Sequence, residues 1–211
     1  MQVPASDLVA TAHTTSRIEA LTDGVFAIVL TLVVFDIRAP LGPPEQLGAS
    51  LLALWPRFLV YAISFLQLGI YWAGHRSQFN FIVREDHVLR WISLLFLALV
   101  ALIPFSTQLL ANYIDERLAL GIYAANFIAL GLVLALHWAH ATRHSRLVEA
   151  GLPAAVKATG FRRCLAAPLL YAAAFIFSTV SPVAAIVLYG LVPACYIFPA
   201  LIDRLGRVYE G

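Results

Sequence analysis

Long apolar runs, separated by short polar and mostly basic stretches, organise this chain. A helix crosses the hydrocarbon core of a bilayer with about 20 apolar residues, within a range of about 17–25, and six runs fit that description. The first is Ala20 to Ile37, interrupted only near its ends by Asp23 and Asp36. Leu54 to Gly74 follows with Arg57 close to its start, and then Trp91 to Ala111 and Leu118 to Leu136, which hold no charge. Cys164 to Val180 and Pro182 to Ile202 are joined through Ser181 alone, which predicts a tight hairpin. The pattern predicts an all-α membrane protein, a single domain over residues 1–211 with six transmembrane helices.

Composition agrees with the pattern. Hydrophobic residues make up 61% of the 211 positions and charged ones 12%, against about 45–50% and about 25% in soluble domains. A soluble fold of this size needs a polar skin that these residues cannot supply, which excludes a soluble enzyme. The basic residues then set the orientation. Of the 14 lysines and arginines, 11 fall at the termini or in the second and fourth connections, while Arg38, Arg57 and Arg117 fall in the first and third. This bias, with an even number of spans, predicts both termini in the cytoplasm of a multi-pass protein of the cell (inner) membrane. Trp55, Trp72, Trp91 and Trp138 stand near span ends, as interfacial anchors do. Residues 1–16 lack a basic region followed by an apolar stretch, so the first span is expected to remain in the mature protein. The stretch from Ala141 to Arg163 is basic and is expected to form a cytoplasmic loop or short surface helix.

Candidate chemistry is sparse. There is no glycine-rich phosphate loop, no pair of intramembrane carboxylates and no serine elbow, so neither an enzyme nor a cofactor is expected. A net charge of +2 gives no electrostatic footprint for nucleic acid. Cys164 and Cys195 lie in apolar runs and read as small buried hydrophobes. His137, His140 and His144 have a spacing that can bind a transition metal, but a solvated interfacial face is the simpler reading, and no metal site is expected.

The first run is the most informative. At about 100° per residue, Gly24, Ile28, Thr31 and Phe35 fall on one narrow stripe, with Thr31 the only hydroxyl at mid-membrane depth. From spacing alone such a stripe reads first as a helix-packing face, where small residues and threonines are ordinary glue. Asp23 lies off the stripe, toward neighbouring helices. An ionisable residue in a span is a functional candidate by default, yet the same carboxylate also suits a helix start. The pattern of this run occurs once, so no inverted repeat is visible.

Three segments carry a family resemblance. Arg17-Ile-Glu-Ala-Leu21-Thr22-Asp23 resembles the Arg-x-x-x-Phe-Ser-Asp signature of the transmembrane-protein-175 potassium channels. Tyr71-Trp72-Ala-Gly-His75-Arg76-Ser-Gln-Phe79 is similar to the family's Tyr-Trp-x-x-His-His-x-x-Phe stretch. Trp91-Ile-Ser93-Leu-Leu-Phe96, followed by Ala101-Leu-Ile-Pro104-Phe105-Ser-Thr107, is similar to its third-span pattern. The resemblance covers residues 17–113. It departs at Leu21-Thr22, at Arg76 where the family has a second histidine, at Ser93 where asparagine is common, and at Phe35 in place of a leucine.

The resemblance implies a homotetramer of six-span subunits whose first helix lines a central pore. Ile28 and Phe35 would be apolar constrictions, Thr31 a hydroxyl layer between them, and Gly24 part of the same lining. Arg17, Asp23, His75, Trp91 and Ser93 would form a polar network tying that helix to the second and third spans. The implied partners are permeant potassium ions, the lipid bilayer and other copies of the chain. One helix cannot enclose a pore, so assembly around an axis is required. No Thr-Val-Gly-Tyr-Gly carbonyl filter is present, so the expected preference for potassium over sodium is modest. The alternative is a proton-coupled secondary transporter in which Asp23 and His75 change protonation.

Overall fold

The computed structural model describes residues 5–143 and 147–197. The helices are α1 Ala5–Leu32, α2 Leu47–Leu52, α3 Trp55–Phe79, α4 His87–Ala101, α5 Ile103–Asn112, α6 Arg117–Arg143, α7 Ala154–Phe177 and α8 Pro182–Ile197. Five segments are long and apolar enough to cross a membrane: Thr15–Asp36, Trp55–Phe79, His87–Asn112, Arg117–Arg143 and Ala154–Phe177. They follow the order of the first five predicted runs. The sixth run maps to α8, a shorter apolar helix, and residues 198–202 of that run lie outside the described residues.

Three differences from the sequence reading have local causes. The first helix starts well before Ala20, and past Leu32 it tightens into a 3-10 turn, Val33–Asp36, closed by the Ile37 N–H on the Val34 carbonyl at 3.0 Å. The third span breaks at Leu102, because Pro104 has no N–H to give the carbonyl one turn back. The stretch from Ala141 to Arg163 is mostly helix: α6 runs on to Arg143, α7 begins at Ala154, and only 144–153 connects them. Lys157, Arg162 and Arg163 therefore extend α7 beyond its apolar run, which long basic side chains allow by reaching back to the headgroups.

Apolar helices in lipid gain nothing from hiding from water. Close approach by small residues and internal hydrogen bonds hold them instead. α6 is the central post, packed on α4, α5 and α7. A Cβ added at Gly131 of α6 would stand 2.3 Å from Pro168 Cγ of α7, so only glycine lets these two helices meet at that depth. Around this contact the buried tyrosines of four helices interlock. Tyr71 donates to the Phe127 carbonyl at 2.7 Å, Tyr189 donates to the Leu120 carbonyl at 3.1 Å, and the Phe127 ring stacks on Tyr171 at 5.1 Å. Thr107 donates to the Ser64 hydroxyl, itself 3.0 Å from the Tyr123 hydroxyl, which links α5, α3 and α6 with every oxygen paired.

The connections also pair by side. Val83 N–H donates to the Leu147 carbonyl at 2.9 Å and Glu149 N–H to the Phe81 carbonyl at 3.0 Å, so the α3–α4 and α6–α7 connections form a two-stranded clip. Asp86 reinforces the clip by capping α4 through Leu89 N–H at 2.8 Å and meeting His140 of α6 at 3.1 Å. At the other end, Arg57 donates to Asn112 at 3.0 Å and ties the start of α3 to the end of α5.

The glycine contact yields a direct comparison. Gly131→Ala is expected to cost about 1–3 kcal/mol by overpacking and to lower the unfolding midpoint in detergent. Gly69→Ala, where an added Cβ meets nothing within 4 Å, should leave that midpoint unchanged or slightly raised.

Candidate functional site: the two faces of the first helix

α1 has one buried and one uncovered face. Ile18, Thr22, Phe26, Val29 and Val33 recur at helical spacing and are buried against α3 and α4. Phe26 meets the Phe96 ring at 6.0 Å. Thr22 turns its hydroxyl onto the Ile18 carbonyl at 2.8 Å, so this face carries no orphaned donor.

On the opposite side stand Gly24, Ile28, Thr31 and Phe35. Ile28 is 60% exposed and Phe35 is 72% exposed, and a Cβ built at Gly24 would touch nothing within 4 Å. Leu21, Leu32 and Val34 flank them, so the uncovered surface is wider than the predicted stripe. Thr31 donates its hydroxyl proton to the Ile28 carbonyl at 2.7 Å and presents its oxygen lone pairs away from the helix. Phe35 belongs to the 3-10 turn, where each residue advances by about 120° and not 100°, so it stands further round the helix than a straight α-helical register places it.

Between the faces lies a polar pocket. The Asp23 carboxylate accepts the Trp72 indole N–H at 2.7 Å, and the Arg76 guanidinium lies over the Trp72 ring at 5.5 Å. One turn on, His75 is buried to 2% exposure and lies flat on Phe96, with ring centroids 5.0 Å apart and planes within 5°. Asp23, His75, Thr22, Trp72 and Arg76 share the wall of a cavity of about 20 Å³.

The other members of the predicted network stand apart within one chain. Arg17 is exposed on α1. Ser93 is buried, but its hydroxyl donates to the Leu89 carbonyl of its own helix at 3.0 Å. Trp91 is exposed on the outer side of α4, with its indole N–H on His87 Nε2 at 2.9 Å. Trp72, Asp23's partner, is in the sequence an interfacial anchor and part of the Tyr-Trp-x-x-His stretch, but it is not among the predicted network residues. The signal for its role is that it precedes His75 by three residues, on the same face of one helix.

The histidines of α6 need correction. His137 is not on a solvated face: it is buried at 1% exposure, with Nδ1 2.6 Å from Gln78 Oε1, because α6 is surrounded to its end by other helices. His140 instead pairs with Asp86, and His144 lies outside the described residues. Among the described residues no three metal-binding side chains converge. Cys164 and Cys195 are free thiols, with Cys164 accepting from Gln78 Nε2 at 3.3 Å.

Residues 17–104, which hold both faces of α1 and the polar pocket, match the family described as endosomal/lysosomal potassium channel TMEM175. A potassium channel of Streptomyces collinus is 37% identical over 169 residues, covering 76% of this chain and 82% of that protein. The chain belongs to the TMEM175 family. A potassium channel of Chamaesiphon minutus is 39% identical over 140 residues, covering 64% of this chain and 69% of its own. The crystal structure of a lysosomal potassium-selective channel TMEM175 homolog from Chamaesiphon minutus superposes with a TM-score of 0.78 at 32% identity, covering 88% of this chain and 97% of that one. Membership makes this chain a multi-pass membrane protein of an ion-channel family, not of an enzyme family.

The Asp23–Trp72 bond gives a test of the pocket. Trp72→Phe keeps an aromatic ring, though a smaller one, and removes the donor, which at a partly exposed site should cost about 1 kcal/mol of stability. The unfolding midpoint of the purified protein in detergent reads this, and an unchanged midpoint would deny the bond a structural role.

Proposed function

We propose that the chain is a potassium-preferring cation channel, assembled as a homotetramer in the cell (inner) membrane, with α1 of each copy around a central pore. The observation that carries the proposal is the uncovered stripe of Gly24, Ile28, Thr31 and Phe35, opposite a fully packed face on the same helix. A monomer leaves that stripe without a partner, and four copies around an axis give it one. The names of the bacterial relatives, potassium channels by description, support the same reading.

Each subunit in this reading is one domain over residues 1–211 with six spans, the sixth being the apolar run that contains α8, and both termini in the cytoplasm. The paired connections support the sidedness, because the basic residues in and beside them, Arg76, Arg84, Arg90, Arg143, Lys157, Arg162 and Arg163, share one end of the bundle. Ile28 and Phe35 form apolar rings that gate by dewetting. Thr31 forms a ring of hydroxyl oxygens whose protons are already committed to the backbone, which leaves acceptors for a partly dehydrated cation. Such a ring replaces only part of the ion's water, so the preference for potassium over sodium is modest. Asp23, with Trp72 and His75 beside it, holds α1 in place; of the other members of the network, the exposed Arg17 and Trp91 are left to contacts between copies and Ser93 closes its own helix. Conduction is passive, and the chain needs no cofactor beyond the permeant ion.

Potassium-loaded liposomes carrying the purified protein test this directly. Flux is expected without a proton gradient, and flux that requires one would favour coupled transport through Asp23 and His75. Ile28→Ala is expected to raise unitary conductance, and Thr31→Ala to bring the potassium-to-sodium permeability ratio toward unity. If both variants conduct and select like the parent, the lining assignment is wrong.

A further inference from the structure

A second feature lies away from α1. α3 and α7 both pack around α6 and α8, and between them runs a groove of about 570 Å³, floored by Leu134 and Trp138 of α6 and bounded by Tyr196 of α8. That volume falls within the roughly 300–1,000 Å³ of sites that bind small molecules.

The polar groups of the lining are nearly all committed within the chain. Gln78 donates to the Leu134 carbonyl at 3.1 Å and lies 2.6 Å from His137. Ser77 donates to the Gly74 carbonyl at 2.8 Å, and Trp138 donates to the Lys157 carbonyl at 2.9 Å. Tyr196 donates to the Arg163 carbonyl at 2.8 Å. The side chains of Thr159 and Arg163 are the exceptions: both are exposed along the groove and make no hydrogen bond or ion pair among the described residues. A ligand suited to these walls has an apolar body that asks for no hydrogen bonds and one anionic group for a guanidinium. Lys157, on the same stretch of α7, strengthens the positive field there. Anionic phospholipids of the cytoplasmic leaflet are drawn to basic pockets of this kind between spans.

We infer that the groove between α3 and α7 binds an anionic phospholipid, with the phosphate on Arg163 and an acyl chain along Leu134, Ala167 and Ile70, the lining on the bilayer side of that arginine. The site rests on the membrane placement of the basic end of the bundle, and not on which helix lines a pore. Loss of the channel reading would leave it standing.

Cys164 lines the groove and Cys195 does not, so a Cys195→Ala chain carries one reporter thiol. Its labelling by a neutral bimane reagent is timed in vesicles of phosphatidylcholine and in vesicles with about a fifth phosphatidylglycerol. Phosphatidylglycerol should slow labelling about tenfold, the protection given by a ligand at some ten times its dissociation constant. Arg162→Gln, which removes the same charge outside the groove lining, should preserve the slowing, and Arg163→Gln should abolish it. Equal slowing in both variants would mean a general surface-charge effect, and no slowing in the parent would mean an empty groove; either overturns the inference. If the Cys195→Ala chain does not fold, native mass spectrometry of the otherwise unaltered chain answers the same question. Retained phosphatidylglycerol lost with Arg163→Gln and kept with Arg162→Gln supports the site, and any other pattern overturns it.

Discussion

The rotation of α1 about its own axis is the constraint on which the rest depends. A mostly apolar helix in lipid is free to turn, because lipid tails are as apolar as its own side chains. Contacts must fix the angle, and here they are Phe26 against Phe96 and the Asp23 carboxylate on the Trp72 indole. Phe96 is a shared platform, with His75 stacked on it at 5.0 Å and Tyr71 at 6.5 Å, so the second and third spans set the angle together. Once Phe26 faces inward, Ile28 and Thr31 must face outward. The two faces of the helix are therefore consequences of one packing choice.

That choice is held by a rigid scaffold behind it. Gly131 against Pro168, and the tyrosine hydroxyls bonded across α3, α6 and α8, supply the specificity that apolar contact alone does not give in a bilayer. The clip between the α3–α4 and α6–α7 connections then fixes which ends of the helices lie together. The matched residues 17–104 contain most of α1 and its supports on α3 and α4, and α6, the central post, follows with α7 and α8.

Much of this was legible in the sequence. Apolar runs locate helices in a membrane protein because only helices satisfy every backbone group inside lipid, and five of the runs lie in segments able to cross a membrane. The exposed face with Gly24, Ile28 and Thr31 was legible for a related reason, since it needs only the helical period, whereas the 3-10 turn that carries Phe35 off that period was not. What hydropathy could not read was which polar groups meet across helices. His137 looked solvated from its basic neighbours, yet a central helix carries such a residue into the core, where Gln78 meets it. Nor does hydropathy reveal that Asp23 meets Trp72, whose indole N–H satisfies a carboxylate without a second buried charge. By polarity the stretch before Arg163 reads as a loop or a short surface helix, and its second half is the start of α7, because a helix continues wherever its backbone bonds continue and its side chains adapt to the headgroups.

A reconstruction by electron microscopy of the full-length protein in lipid nanodiscs tests the central claim most directly. It should resolve four copies around one axis, with Ile28 and Thr31 of each α1 turned toward that axis. A monomer without a continuous passage, or an assembly that places this face of α1 against surrounding lipid, would contradict the account.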